Sequence, residues 1–207
     1  MKIPTREKAE LFLSEAEDRN PGPWVEHSKN VARAAQMIAE RHPRLDPDSA
    51  YILGLLHDIG RRDGNCDMKH LVIGYYFLHE QGYDEAARIS ITHSFPLPEI
   101  STYVARWDCT PEEIGFIEDF IINIEFTEYD RLIQLCDGIA PAEGFCLLEK
   151  RMVDVAIRLG INEDTVRGWK ARFQIKADFE DAIGCSIYEV LPGVIQVTFG
   201  SIPEAIS

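Results

Sequence analysis

The chain has 207 residues, enough for one domain with a small appendage, and its hydrophobic fraction of 45% and charged fraction of 27% are ordinary for a globular protein. The net charge of −14 argues against a nucleic-acid partner, because binding phosphates needs clustered Lys and Arg, yet it does not oppose binding of divalent cations. No apolar stretch has transmembrane length, and residues 1–20 lack the apolar core of a signal peptide, so we expect a cytoplasmic protein without a membrane partner. Five cysteines without Cys-x-x-Cys spacing indicate neither a disulfide framework nor a zinc knuckle. The sequence does not decide between a monomer and a homodimer.

Two helices are predicted at the start of the chain. The first covers residues 5–18, where apolar and charged residues alternate at helical spacing. The second covers residues 24–41, with Pro23 suited to its first position. His27 lies on the apolar face of this second helix, one turn before Val31, and a histidine in that position needs a polar partner.

A buried helix over residues 49–59 is predicted to end in His57-Asp58, with Gly60 as its stop and Arg61-Arg62 as cations beside the last turn. This places an imidazole and a carboxylate side by side at a helix end that faces a cavity. A lone pair of this kind is more often a satisfied core histidine next to a turn cap. The remaining histidines therefore decide its interpretation.

The rest of the body also has helical patterns, and no segment before Ser186 alternates as a strand does. The predicted fold class is all-α, a helical bundle with a small C-terminal appendage. Residues 187–199 are rich in β-branched residues around Pro192-Gly193, which favours a short β-hairpin. The further predicted helices cover residues 70–78, 83–93, 111–123 and 128–139.

Four of the six histidines fall at the ends or on the inner faces of predicted helices, whereas His42 and His79 have charged neighbours and are expected at the surface. Two aspartates share the helix-end positions. In chain order the set is His27, His57-Asp58, His70, His93 and Asp137.

This order resembles the HD-domain superfamily of metal-dependent phosphohydrolases, whose pattern is a histidine, then His-Asp, then a distant aspartate. His27, His57-Asp58 and Asp137 match that pattern, and His70 and His93 fall where members with two metals place ligands of the second ion. The spacing is similar to the branch that hydrolyses diadenosine tetraphosphate symmetrically, although that branch usually has lysine and threonine where this chain has Arg61 and Ser94. The resemblance implies an HD domain over residues 21–143, an N-terminal helix in residues 1–20 packed on it, and a C-terminal helical extension and tail in residues 144–207.

The resemblance also implies the chemistry. Imidazole and carboxylate ligands suit iron, manganese, cobalt, nickel or zinc, and a metal-bound hydroxide would cleave a phosphoester or phosphoanhydride bond in a small nucleotide-like substrate. Asp58 would act catalytically by bridging two ions, and Arg61, with Arg62, would bind the phosphate, although a salt bridge at a helix end explains Arg61 equally well. The first ion would be held by His27, His57, Asp58 and Asp137, and the second by Asp58, His70 and His93.

Four aromatic residues are further candidates for stacking a base near the site. For each of them, packing in the apolar core is the simpler interpretation. They are Tyr75, Tyr76, Tyr103 and Trp107.

A competing hypothesis starts from residues 155–169, whose small and apolar positions match a DNA-binding helix-turn-helix. The surrounding residues 150–176 carry a local charge of +4, from seven basic and three acidic residues, which leaves −18 for the remainder. The protein would then be a regulator whose HD domain senses a nucleotide or another ligand without turnover. Gly168 inside the recognition helix counts against this, and the orientation of the three cations Arg167, Lys170 and Arg172 discriminates between the hypotheses.

Overall fold

The computed structural model describes residues 2–200, and over this range the chain forms α-helices and two 3-10 turns with no β-strand. The predicted all-α bundle is confirmed. Within the described range no helix is long and apolar enough to cross a bilayer. The 3-10 turns cover Ile59–Asp63 and Ile100–Thr102, and the α-helices are α1 (Arg6–Arg19), α2 (Pro23–Ala39), α3 (Pro47–Leu56), α4 (Lys69–His79), α5 (Asp84–Thr92), α6 (Pro111–Ile122), α7 (Glu128–Asp137), α8 (Leu148–Leu159), α9 (Thr165–Ile183), α10 (Ile187–Val190) and α11 (Val194–Phe199).

Several helices begin at side-chain caps that the sequence encodes. The Thr110 and Thr127 side chains each accept a hydrogen bond from the backbone three residues later, and the acidic residues Glu113 and Asp130 bond back to the cap. Each such capping box satisfies two N–H groups that the first turn leaves without helical partners. The Thr127 box sets the direction of α7, the helix that ends at Asp137.

The main hydrophobic core lies between α2 and α3 and extends to α1, α5 and α7. At the crossing of α2 and α3 the backbones approach so closely that a Cβ on Gly54 would lie 2.8 Å from Cα of Ala32. A smaller cluster, centred on the fully buried Phe95, joins α4, α5 and α6. The functional side chains lie where these two clusters meet.

Gly60 acts through packing rather than by stopping the helix before it. The prediction that this helix runs to Ile59 was wrong, because α3 ends at Leu56 and Gly60 lies inside the 3-10 turn that follows. A Cβ on Gly60 would lie 1.9 Å from the carbonyl oxygen of His70, so the turn packs directly against the backbone of α4. This contact brings the end of α3 and the start of α4 together.

The C-terminal helices are attached to the bundle unequally. Only Leu148 and Met152 of α8 are buried, whereas α9 packs against α7 and the turn at Ile100–Thr102. Gly168 lies at that last contact, where a Cβ would be 2.8 Å from the Thr102 carbonyl oxygen. Its presence inside a helix is therefore explained by close packing.

The predicted β-hairpin over residues 187–199 was wrong. Ser186 caps α10 by accepting a hydrogen bond from the Tyr188 N–H, and Ile187 is fully buried in the main core. Gly193, at a φ of +75°, starts α11. Burial against the bundle overrides the strand preference of the β-branched residues, which depends on context.

Candidate metal centre

Six side chains from five helices meet at the centre of the bundle. They come from α2, from the residues that follow α3, from the first turn of α4, from the end of α5 and from the last residue of α7. All are buried except Asp137, whose side chain is 18% exposed. In chain order they are His27, His57, Asp58, His70, His93 and Asp137.

One half of the cluster joins α2, the end of α3 and the end of α7. The Nε2 atom of His27 lies 3.1 Å from Oδ1 of Asp137 and 3.2 Å from Nε2 of His57. The His57 Nε2 atom in turn lies 3.9 Å from Oδ1 of Asp137 and 3.9 Å from Oδ2 of Asp58. The atoms of His27, His57 and Asp58 are close enough to share one ion.

The other half of the cluster centres on Asp58. Its Oδ1 atom lies 3.0 Å from Nε2 of His70 and 3.7 Å from Nε2 of His93, and these three residues form a second group that is close enough to share an ion. Asp58 therefore belongs to both groups, one through each carboxylate oxygen. A carboxylate placed in this way is suited to bridge two ions.

The four imidazoles all face the cluster with the same nitrogen. Each Nδ1 hydrogen-bonds a backbone carbonyl oxygen, which places the ring proton on Nδ1 and leaves Nε2 with a lone pair directed into the cluster. Metal-binding histidines are held in this way, because the outer hydrogen bond fixes both the tautomer and the ring orientation. The carbonyls belong to Ala140 for His27, at 2.7 Å, to Gly54 for His57, at 2.7 Å, to Asp67 for His70, and to Ile89 for His93, at 3.0 Å.

Two buried atoms of the cluster have no hydrogen-bond partner among residues 2–200, namely Oδ1 of Asp58 and Nε2 of His70. Both carry lone pairs, and they face each other at 3.0 Å. Burial of unpaired acceptors is costly, and a cation between them would satisfy both. The donor set therefore fits a divalent metal with mixed nitrogen and oxygen ligands.

Charge and burial hold Asp58 and His93 in the forms that bind a cation at neutral pH, whereas they shift the pKa of His27 the other way. Burial alone would raise the pKa of Asp58, but the neighbouring Arg61, His70 and His57 hold it well below its usual value. Burial, assisted by His57, lowers the pKa of His93 to about 3. The hydrogen bond and charge of Asp137 outweigh burial at His27 and raise its pKa.

Comparison with protein families agrees with this geometry. A family model described as HD domain matches residues 24–142. The chain belongs to the HD-domain family. HD domains are generally metal-dependent hydrolases, and the matched range contains all six side chains of the cluster. Neither the search of curated proteins nor the search of solved structures found a match.

The two arginines that follow the His-Asp pair point in different directions. Arg61 lies beside the HD-domain cluster, where its Nε donates to Oδ2 of Asp58 at 2.6 Å and its Nη1 donates to the Cys66 carbonyl at 3.0 Å. Its side chain remains 30% exposed to the cavity above the cluster. Arg62 is buried with its guanidinium 3.9 Å from the ring centre of Phe77 and does not line that cavity. The structure therefore does not bring Arg62 to the expected substrate position.

A cavity of about 810 Å³ opens over the cluster. Its volume lies within the usual range for small-molecule and cofactor sites. Of the four aromatic residues proposed from the sequence only Tyr103 lines it, because Tyr75 and Tyr76 pack on Phe116 and Trp107 packs in the smaller cluster. The sequence interpretation missed two further aromatic lining residues, Trp24 and Trp169.

The cavity is also lined by five arginines. Of these five, the sequence interpretation placed only Arg61 here; Arg62, which it also placed here, does not line the cavity. Burial and the charge of Asp137 raise the pKa of Tyr103, while Arg172, Arg61 and Arg151 oppose that rise, so the phenol lies in the field of three arginines from three different elements. The local charge of +4 in residues 150–176 was the signal available in the sequence. The five are Arg61, Arg106, Arg151, Arg158 and Arg172.

The positions of the cations on α9 argue against the helix-turn-helix hypothesis. Arg167 forms a bidentate ion pair with Glu99 at 2.8 and 2.9 Å, and Arg172 donates to the carbonyls of Gln134 and Ser94. Arg172 thus packs against the body, and Arg167 is held by an acidic surface residue although its side chain is 51% exposed, so Lys170 alone of the three has no such partner among the described residues. The helix α9 is a wall of the cavity.

The two remaining histidines have different environments. His79 is exposed and pairs with Asp84 at 2.9 Å, as expected. The surface position expected for His42 was wrong, because its side chain is 3% exposed and packs against Phe179 of α9. A C-terminal helix that covers His42 could not be foreseen from the charged residues beside it in the sequence.

Proposed function

We propose that this HD domain is a phosphohydrolase that cleaves a phosphoester or phosphoanhydride bond in a small nucleotide-like substrate. One observation carries the proposal. Four imidazoles, each with Nδ1 fixed by a backbone carbonyl, direct Nε2 at two carboxylates beneath a cavity lined by arginines. Side chains suited to hold metal and arginines suited to bind phosphate therefore face the same cavity.

The ligand roles follow from the two halves of the cluster. Divalent ions supply Lewis acidity, which makes coordinated water acidic and neutralises charge on a phosphoryl group. Asp58 belongs to both ligand sets and positions them relative to each other through its two oxygens. One set is His27, His57, Asp58 and Asp137, and the other is Asp58, His70 and His93.

Arg61 is the proposed catalytic arginine. Its Nε and Nη1 atoms are fixed by Asp58 and Cys66, and no described residue accepts a hydrogen bond from its Nη2. A guanidinium held in this way beside the cluster can donate to a phosphate oxygen and stabilise the charge that grows during bond cleavage. The pairing with Asp58 also keeps that carboxylate ionised.

The lining and the volume of the cavity suit a nucleotide substrate. Tyr103 and Trp169 give aromatic surfaces for a base, and the volume of about 810 Å³ accommodates more than a single phosphate group. Diadenosine tetraphosphate is the specific substrate that we propose to test first, because the order of ligands resembles the branch that hydrolyses it.

A turnover screen tests the proposal. The full chain is assayed on dinucleoside polyphosphates, mononucleotides and a generic phosphodiester, with iron, manganese, cobalt and nickel added in turn. Release of a nucleoside diphosphate from a dinucleoside tetraphosphate is the expected result. Cleavage of a nucleoside monophosphate instead would assign a mononucleotide as the substrate. Bound metal without turnover on any compound would contradict the proposal and favour a ligand-sensing HD domain.

A further inference from the structure

We infer that α8 and α9, which lie beyond the residues that the family model matches, complete the substrate site with a cationic surface that binds the phosphate chain of a nucleoside polyphosphate. This inference rests on the proposed function and names the part of the substrate that this surface holds. We call the surface the arginine wall. It consists of Arg106, from the segment after the second 3-10 turn, and of Arg151, Arg158 and Arg172, from α8 and α9.

Within the described part of the chain, the arginine wall has no carboxylate partners. None of its four members has an Asp or Glu oxygen of residues 2–200 within 4 Å. The chain has 35 acidic and only 21 basic residues, and most arginines on other surfaces are paired, as Arg6, Arg19, Arg44, Arg88 and Arg167 are. Unpaired cations gathered around one cavity of such an acidic protein make that cavity locally positive.

The composition of the lining favours phosphate over other anions. Among the described residues no lysine lines the cavity, although the chain contains seven. Arginine binds phosphate through two parallel N–H donors, whereas lysine acts as a point charge. Apart from the proposed metal ligands, the only described residues that bring negative charge to the lining are Asp67 and Glu143.

The positions of the arginines favour a chain of phosphates over a single phosphate. Arg151 and Arg158 are seven residues apart on α8, so they share a face at a separation of about 10 Å along the helix axis. Arg172 is held close to the metal cluster, because its guanidinium donates to the carbonyls of Gln134 and Ser94, the residue after His93. Groups at these separations contact different phosphates of an extended chain.

The experiment compares two nucleotides that share a base and differ in the number of phosphates. Adenosine 5′-(β,γ-imido)triphosphate and AMP are titrated by calorimetry into the metal-loaded full chain and into Arg151→Gln. We expect wild type to bind the imidotriphosphate more tightly than AMP. Because a charge-assisted hydrogen bond is lost, Arg151→Gln should weaken imidotriphosphate binding about 10-fold or more and AMP binding less. Arg33→Gln, on the exposed side of α2, is the matched control and should bind both nucleotides as wild type does.

A second variant guards against loss of structure. Arg172→Gln removes hydrogen bonds to two backbone carbonyls, so its metal content and melting temperature are measured together with its affinity, whereas Arg151 has no such bonds within the described residues. Equal affinity of wild type and Arg151→Gln for the imidotriphosphate would overturn the inference, and so would AMP binding as tight as imidotriphosphate binding in wild type.

The outcome also separates this inference from the proposed function. Turnover of a dinucleoside polyphosphate with an unchanged KM in Arg151→Gln would overturn the inference and leave the hydrolase intact. Binding of the imidotriphosphate that depends on Arg151, in a protein that hydrolyses nothing, would support the inference and contradict the proposed function.

Discussion

The floor of the cavity and the arginine wall are built from different kinds of residues. The floor consists of buried imidazoles and carboxylates, and each of its histidines is fixed by a backbone carbonyl. The wall consists of more exposed arginines, mostly on the C-terminal helices, and only Arg172 among them is fixed by carbonyls. The floor lies within the residues that the family model matches, whereas α8 and α9 lie beyond them.

This difference separates two parts of the proposed reaction. A floor with fixed rings holds its ligand atoms in one arrangement, which catalysis by bound metal requires. The longer and freer side chains of the wall can adapt to the anion that enters. We expect changes in the floor to abolish turnover and changes in the wall to alter affinity and substrate choice.

Replacement of Asp58 should have the largest effect. Asp58→Ala removes the carboxylate that belongs to both halves of the cluster, so we expect loss of bound metal and a fall in kcat of more than about 100-fold, beyond what an outer hydrogen-bond partner contributes. Circular dichroism should show a folded chain. An Asp58→Ala protein that keeps its metal and changes only KM would remove the distinction between floor and wall.

Variants in one half of the floor should lose one of the two bound ions and keep the other. His70→Ala and His93→Ala should each lose about one metal equivalent and keep the other, because the set formed by His27, His57 and Asp137 is unchanged. His79→Ala, at an exposed histidine, is the control and should keep the wild-type content. An unchanged metal count in both cluster variants would indicate a one-metal site.

The contact at Gly60 is expected to support the floor through the backbone. Gly60→Ala would place a Cβ 1.9 Å from the His70 carbonyl oxygen, and we expect a loss of about 3 kcal/mol in the free energy of unfolding, measured with denaturant. Gly115→Ala in α6 is the matched control, because its Cβ meets no atom within 4 Å and should stabilise the helix by about 0.5–1 kcal/mol. Equal stability of the two variants would show that the close approach at Gly60 has no energetic role.

The buried His93 should make the stability of the chelator-treated protein depend on pH. Its folded pKa of about 3 lies below the ordinary value of 6.5, so between these values the unfolded chain binds a proton that the folded chain does not. Stability should therefore fall as pH decreases from 6.5 to 4.5, by up to about 1.4 kcal/mol per pH unit from this group. His93→Gln should show a shallower slope over the same window, and parallel slopes would contradict the assignment.

The floor could be predicted from the sequence because its residue types are uncommon and their order is informative. His27 lies on the apolar face of α2, and His57-Asp58 and Asp137 stand at helix ends that periodicity and capping residues locate to within about three residues. The arrangement of the wall could not be predicted in the same way. Arginine is common on surfaces, and whether Arg172 points to solvent or into a cavity depends on how α9 packs on α7.

Tertiary packing also explains the other differences. The strand preference of residues 187–199 gave way to burial of Ile187 in the bundle, and His42 is covered by Phe179. Arg62 points away from the cavity because its guanidinium packs over Phe77 of α4. Neither aromatic contact is visible beside the residue in the sequence, because Phe77 lies 15 residues after Arg62 and Phe179 lies 137 residues after His42.

The first measurement to make is the metal content of the purified full chain, because the proposed centre should hold two ions. After loading and dialysis, elemental analysis should find about two divalent ions per chain, since Asp58 and the four inward-facing imidazoles form two overlapping ligand sets. Asp58→Ala, treated in parallel, sets the background. Metal in wild type that does not exceed this background would show that the cluster is not a metal centre.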